Sequence, residues 1–408
     1  MKVMITGAQF NNKGAQSLLF TVVDQLKKRF SDIEIYYLPI DDYRKYEKEK
    51  YKFHIVYGDM EAHYYENKPY MRLPILAKAI ARKVIKGKNA VKVSDVSMLH
   101  RILPQIDAII DVSGFQLTSK FSYEMNRRFL YYIEEAKRYS KKVILMPQSF
   151  GPFDYTEDRD NMLSLIRKDL SMADVIFARE QEGYFLLTND FQLDNVWCST
   201  DLVLQSNDID WNNIYMQMPE FNYPKILGQG NIAIIPNIET FKHGNEEDII
   251  ILYKKVIEYL LEKGKKIHIF RHSYDMAACE KIYSCFEGNE KVFLYRNEFE
   301  SGEYSQMVRQ FDFIIASRYH SIVHAYKEGI PAVIFGWAIK YQELARHFDQ
   351  SKYVFDITNK PNDKLEAIVY ALDAMCKDYS NERKRIIEKS QALRKESCFD
   401  ICWDILCR

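Results

Sequence analysis

Phe313-Ile314-Ile315-Ala316, Ser317-Arg318-Tyr319-His320, Ser321-Ile322-Val323-His324-Ala325-Tyr326-Lys327-Glu328-Gly329 and Ile330-Pro331-Ala332-Val333-Ile334-Phe335-Gly336 follow one another without a break. The first four residues form an apolar run suited to a buried parallel strand, Ser317 to Ser321 reads as a polar turn, and Ser321 to Glu328 has helical spacing. Gly329 closes that helix, and Ala332 to Phe335 is a second buried strand. The unit is strand, turn, helix, strand. It places Arg318 and His320 at the carboxyl end of a parallel strand, where open α/β sheets bind ligands. A helix N-terminus there favours anions, so the pair suits phosphate or carboxylate. Local capping or pairing would explain either residue alone; their company along the chain argues for a site.

Upstream, the same pattern recurs. Strand Ile232 to Ile235 ends in Pro236-Asn237, a helix runs from about Glu246 to Lys263, and strand Ile267 to Phe270 ends in Arg271-His272-Ser273. A helix near Met276 to Phe286, a strand at Val292 to Tyr295 and a short helix near Tyr304 to Gln310 lead into the opening stretch, and after Lys340 the chain is helical to about Phe348. In the first half, strand Lys2 to Thr6 meets a glycine- and asparagine-rich turn, Gly7 to Gly14, and a helix to about Phe30. This opening is Rossmann-like without the dinucleotide fingerprint, since no G-x-G-x-x-G or Walker lysine pattern is present. Strands follow at Ile33 to Leu38, Ile106 to Val112, Val143 to Met146 and Val175 to Ala178, with helices at about 123–139, 159–172 and to 188. Alternation of this kind predicts parallel, doubly wound sheets.

The alternation stops between Asp201 and Gly230, which sets the domain boundary. The expected organisation is an N-terminal Rossmann-like domain over 1–205 with an insertion at 41–105, a linker at 206–230, a C-terminal Rossmann-like domain over 231–360, and charged helices over 361–408 packing near the junction. Asp41 to Tyr70 reads as irregular. Within the insertion, Lys78, Arg82, Lys83 and Lys86 punctuate an apolar helical pattern from Pro74 to Lys88, the spacing of a helix with a solvated basic face or one resting on an anionic membrane surface.

The uncommon residues fall after strands: Gly7, Asn12 and Gly14, then Ser113-Gly114, Gln148, Arg179, Arg271-His272, Arg318 with His320 and Ser321, and Lys340. In parallel sheets these ends share one edge, and two such sheets facing across a crevice gather both sets into one cleft. Arg179, Arg318, His320 and Lys340 would suit a small anion bearing phosphate and carboxylate, because Arg offers a bidentate fork and Lys a point charge. His268 and His324 read as core or helix-face residues.

Composition narrows the classes. The chain has 408 residues, 47% of them apolar, with 57 basic and 57 acidic side chains. It is long enough for two domains, and its charge balance gives no reason to expect a nucleic-acid partner. No apolar run reaches 18 residues and the N-terminus lacks a signal pattern, so a soluble cytoplasmic protein is expected. Seven cysteines, an odd number without zinc-like spacing, read as reduced structural thiols. No His-x-His pair or D-x-D with a histidine cluster suggests a metal.

Over most of its length the sequence resembles the polysaccharide pyruvyl transferase family. The likeness rests on the Gly7 to Gly14 turn leading to Leu18, on Asp111-Val112-Ser113-Gly114, on the Gln148 to Phe153 segment, on Ala178-Arg179-Glu180, and on Arg318 to Pro331 with Lys340 beyond. It departs where Ala15 replaces an Asp usual after the glycine and Tyr319 a usual Leu. The resemblance implies two Rossmann-like domains across a cleft, as in GT-B glycosyltransferases, and transfer of pyruvate from phosphoenolpyruvate to sugar hydroxyls as a ketal, in making cell-surface or exopolysaccharide. No tightly bound cofactor is implied. Partners would be phosphoenolpyruvate and a saccharide acceptor, free or lipid-linked; peripheral contact at the inner membrane face is the expectation that the basic residues Lys78, Arg82, Lys83 and Lys86 add. His320 and Arg179 carry over as catalytic. Arg318, Ser321, Lys340, Arg271 and His272 fall on the donor side, and Gly7, Asn12, Gly14, Gly114 and Gln148 line the acceptor side or cleft. Two rivals stand beside this reading: a GT-B glycosyltransferase using a nucleotide sugar, and a non-catalytic binding subunit.

Overall fold

The computed structural model describes residues 1–40, 47–58, 60–66 and 93–408. The expected basic helix carrying Lys78, Arg82, Lys83 and Lys86 lies outside the described residues.

Two parallel sheets form the framework. Among the described residues the first has seven strands in the order β3-β2-β1-β4-β5-β6-β7: β1 (Lys2–Thr6), β2 (Glu34–Tyr37), β3 (His54–Ile55), β4 (Ala108–Asp111), β5 (Lys142–Gln148), β6 (Val175–Ala178) and β7 (Val196–Cys198). The second has six, in the order β10-β9-β8-β11-β12-β13: β8 (Asn231–Ile235), β9 (Lys266–Phe270), β10 (Val292–Tyr295), β11 (Phe313–Ala316), β12 (Ala332–Phe335) and β13 (Val354–Phe355). Their central strands are buried along their whole length, because helices cover both faces. Each sheet reverses direction once, between β1 and β4 and between β8 and β11. Thr6 pairs with Asp111 and Ile235 with Ala316 at those points, so the loops after all four strands open at the two switch points.

Three strands escaped the sequence reading: β3, β7 and β13. Each is two or three residues long, and each ends a sheet, where one neighbour and partial burial leave no long apolar run. The stretch 41–70 is accordingly less irregular than expected, since β3 and a helix at Met60–Glu66 lie within it. Between the sheets, residues 206–230 hold a single described turn of 3-10 helix, Trp211–Asn213, and Tyr215 bridges back to Tyr51. The tail is one long helix, Leu365–Leu393, broken at Asp378 (φ −140°), followed by a helix at Cys398–Cys407. This last helix returns to the first sheet, where Leu406 O accepts from Lys142 Nζ at 3.5 Å and Cys402 Sγ meets Met146 Sδ at 3.6 Å. One continuous apolar core runs from the inner face of the first sheet through the Lys13–Arg29 helix to the inner face of the second.

Candidate active site

At the first switch point, Gly7 has φ +86°, and a Cβ there would stand 2.3 Å from Ser113 Oγ; only glycine fits. Ser113 is held by the buried Asp111 carboxylate, which accepts from its N–H at 3.1 Å, from its hydroxyl at 3.0 Å, from Thr6 Oγ1 at 3.0 Å and from Gln148 Nε2 at 3.5 Å. Burial pushes the Asp111 pKa up. Gly7 and Gln148 therefore brace the loops from below and do not line a cleft. Asn12 is also inward-acting: it caps the Lys13–Arg29 helix, its side chain accepting from Gly14 N and Ala15 N.

Above this layer sits Arg179, at the end of β6 and 4% exposed. Its Nε donates to Glu180 Oε1 at 3.0 Å and to Ser149 Oγ at 3.1 Å, its Nη2 to Ser149 Oγ at 2.7 Å, and its Nη1 to Asp201 Oδ2 at 3.0 Å. A guanidinium has five N–H groups, so each terminal nitrogen keeps one for a further acceptor. The Tyr319 ring lies against the guanidinium, its centroid 4.4 Å from Cζ. The coulombic pull of Tyr319, Glu180 and Asp201 outweighs burial and keeps Arg179 firmly charged. Gly114, the small residue after β4, comes within 3.9 Å of Arg179 Nη1, measured from the position a Cβ would take.

From the second sheet, β11 delivers Arg318, Tyr319 and His320 into the start of the Tyr319–Lys327 helix. His320 Nε2 is 3.9 Å from Asp201 Oδ2 and is buried with no hydrogen-bond partner among the described residues. Burial first, then Arg179, His324, Lys340 and Arg318, hold its pKa far below the ordinary value, so the ring is neutral. His272, at the end of β9, lies parallel to it with centroids 6.3 Å apart; its Nδ1 meets Ser273 Oγ at 3.0 Å and its buried Nε2 also lacks a partner. Arg318 makes a bidentate pair with Asp275, Nε at 2.9 Å and Nη2 at 3.0 Å, which leaves Nη1 available. Lys340 is half-buried, with Nζ 5.4 Å from the Phe115 centroid and 5.5 Å from that of Tyr319, and no carboxylate pairs with it among the described residues. Burial and the neighbouring Arg179 bring its pKa down to about 8.

The sequence candidates thus sort into two groups. Arg179, Gly114, His320, Lys340 and Gly14 converge, with His272 and Arg318 beside them. Arg271 points aside, donating to Glu298 at 3.3 Å, and Ser321 is fully buried near Tyr304. His268 is a core residue, bonded to Tyr295 Oη and Asn231 Oδ1, and His324 bonds Ser17 and Ser305 in the interface between the sheets. Sequence reasoning missed Asp201, Glu180, Ser149 and Asp275. Asp201 follows β7; had that three-residue strand been recognised, Asp201 would have joined the other residues placed after strands. Two concavities of ≈ 620 and ≈ 220 Å³ lie elsewhere, one along β3 with Tyr51 and Tyr57, the other between Ser17, His324 and Lys327. At the cluster the two halves are in contact, His320 of the second meeting Asp201 and Gly14 of the first. Among the described residues no group of three or more His, Cys, Asp or Glu side chains could hold a metal, and no helix is long and apolar enough to cross a membrane.

The family described as polysaccharide pyruvyl transferase matches residues 12–338. No curated protein sequence matches the chain. Among solved structures, the UDP-GlcNAc 2-epimerase of Neisseria meningitidis bound to UDP-GlcNAc is similar at a TM-score of 0.54 and 12% identity, covering 95% of this chain and 94% of that one. A spinosyn rhamnosyltransferase aligns with TM-score 0.52 and 9% identity, covering 97% and 96%, and a trehalose-6-phosphate synthase with 0.51 and 11%, covering 97% and 96%. At such identities the likeness shows the fold alone, which is GT-B-like.

Proposed function

We propose a function on the premise that the chain belongs to the polysaccharide pyruvyl transferase family. It transfers pyruvate from phosphoenolpyruvate to two hydroxyls of a saccharide, forming a ketal and releasing phosphate. The observation that carries this reading is the cluster of Arg179, Lys340 and His320. Arg179 and Lys340 are cations with donors to spare, and they face an imidazole whose buried Nε2 has no partner. Such a place suits an anion together with a proton transfer.

The chemistry assigns roles. His320, protonated once the anionic donor is bound, delivers a proton to the methylene carbon of the enol while the first sugar hydroxyl adds to the central carbon. The proton lost by that hydroxyl returns to the imidazole, and the product is a tetrahedral adduct still bearing phosphate. The second hydroxyl then displaces phosphate, which leaves with that hydroxyl's proton. Arg179 and Lys340 bind the phosphate and stabilise its departure, and Arg318 Nη1 holds the carboxylate. Closure of the sheets around these groups excludes water, which would otherwise take the hydroxyl's place.

The test is direct. The protein is incubated with phosphoenolpyruvate and a panel of glycans, and phosphate release and a mass gain on the sugar are read together. His320→Ala should abolish both while keeping its melting temperature. Unchanged turnover in that variant would sink the assignment. A melting point raised by UDP-sugars and not by phosphoenolpyruvate would favour glycosyl transfer instead.

A further inference from the structure

Asp201 stands between the two side chains on which the proposed reaction most depends. Its Oδ1 is anchored, accepting from Val203 N at 3.0 Å, while its Oδ2 accepts from Arg179 Nη1 at 3.0 Å and lies 3.9 Å from His320 Nε2. That nitrogen is buried and unpartnered. On its other side, the ring is backed by Gly14, where a Cβ would stand 2.3 Å from its Cγ, so the imidazole has no room to retreat toward the Lys13–Arg29 helix. A small rotation of the anchored carboxylate is the shortest route to a hydrogen bond.

We infer that Asp201 is a positioning residue whose Oδ2 passes from Arg179 to His320 when a phosphate-bearing donor occupies the guanidinium, so that Nε2 becomes a proton-bearing nitrogen only in the loaded site. The inference rests on the pyruvyl-transfer reading for the identity of the donor. Its physical basis is competition for one carboxylate oxygen. In the free protein the groups facing His320 are Arg179 and Asp201 from the first sheet, His272 from the end of β9, Arg318 and His324 from its own turn and helix, Lys340 from the Ile339–His347 helix, and the Tyr319 ring edge-on at 5.5 Å. Cations dominate that list, and the carboxylate in it, Asp201, is committed to Arg179. A bound phosphate changes both conditions: it neutralises Arg179 and Lys340, and the guanidinium, drawn toward it through the N–H that Nη1 keeps free, loosens its hold on Oδ2. The proton that Nε2 gains from solvent goes to the methylene carbon, and the imidazole then regains one from the adding hydroxyl. No electrons change hands. The arrangement prevents a charged histidine from waiting in an empty site and ties proton delivery to donor binding.

Histidine labelled with carbon-13 at Cε1 makes the inference measurable, with the His320 signal assigned by its loss in His320→Gln. In the wild type, titration with and without phosphoenolpyruvate, and in a second arm inorganic phosphate, should move the His320 pKa upward by about one unit or more, the order expected for a neighbouring opposite charge. In Asp201→Asn, which still accepts from Val203 N, the upward move should be lost. Its kcat for phosphate release should fall about 100-fold, the lower range for general acid catalysis, while KM for phosphoenolpyruvate does not rise. Asp201→Glu should restore part of the shift. An Asp201→Asn protein with the wild-type titration or the wild-type kcat overturns the inference. If that variant does not fold, the wild type decides alone: a His320 pKa that ligand leaves unmoved also overturns it. Failure of the pyruvyl-transfer reading looks different, since phosphoenolpyruvate would release no phosphate with any acceptor while the inorganic phosphate arm still reports on Asp201.

Discussion

Gly14 of the first domain and His320 of the second are packed face to face: a Cβ added to Gly14 would stand 2.3 Å from both Cγ and Nδ1 of the imidazole. The first helical turn of one half is thus the back wall for the ring presented by the other. Gly14 needs to be glycine because another domain's side chain fills the space, not because of an unusual backbone angle.

Gly14→Ala should therefore act on His320. The methyl group displaces the ring by an ångström or more, and a misplacement of that size costs catalysis about 100-fold. Overpacking should lower stability by about 1–3 kcal/mol. Phosphate-release kinetics beside a thermal melt check this, and wild-type kcat in Gly14→Ala would mean that the ring position is not critical.

On the proposed reading, Lys340 should set an alkaline limit. Its pKa in the free protein is brought down to about 8, so the ammonium is present below that pH and lost as pH rises through it. For an anionic donor, kcat/KM should then decline above about pH 8, because this parameter reports the free enzyme. Lys340→Arg should push the limb to higher pH, since a guanidinium stays protonated. A pH profile identical in the two proteins would assign the limb to another group.

Arg179→Ala should fail first as a folded protein. The substitution leaves Glu180 and Asp201 buried with no counter-charge, and breaking such a pair costs about 3–5 kcal/mol. Chemical denaturation should show this loss. A variant as stable as the wild type would mean that the carboxylates find other partners or take up protons. Arg179→Lys, which keeps the charge and loses the fork, is the better probe of donor binding.

Tyr319→Leu installs the side chain usual in the family and removes the ring from Arg179. The lost cation–π contact should lower stability by about 0.5–2 kcal/mol. A double-mutant cycle with Arg179→Lys measures the coupling, and additive effects would show that the ring merely fills space.

Central strands were readable because burial on both faces writes an apolar run into the sequence, and β6, β11 and β12 fall on the residues expected of them; β10, although at a sheet edge, was readable too because Val292 to Tyr295 are all apolar or aromatic. Edge strands β3, β7 and β13 were not, since their hydrogen bonds come from a neighbour that sequence order does not reveal. The consequence for the site was Asp201. Lying just past such a strand, it reads in the sequence as the start of the irregular junction.

Residue chemistry and its position after strands came from the sequence alone: Arg179, Arg318, His320 and Lys340 are local facts of strand, turn and helix. Their states were settled by tertiary structure. Arg179 is already saturated on one side by Ser149, Glu180 and Asp201, Arg318 is committed to Asp275, and Lys340 is left among aromatic rings. Those differences arise from contacts between segments far apart in the chain, such as His320 with Asp201 and with Gly14. A strand pattern records which residues are buried, because burial acts on each side chain separately. Which charge meets which depends on two sheets closing against each other, and no local periodicity encodes that distance.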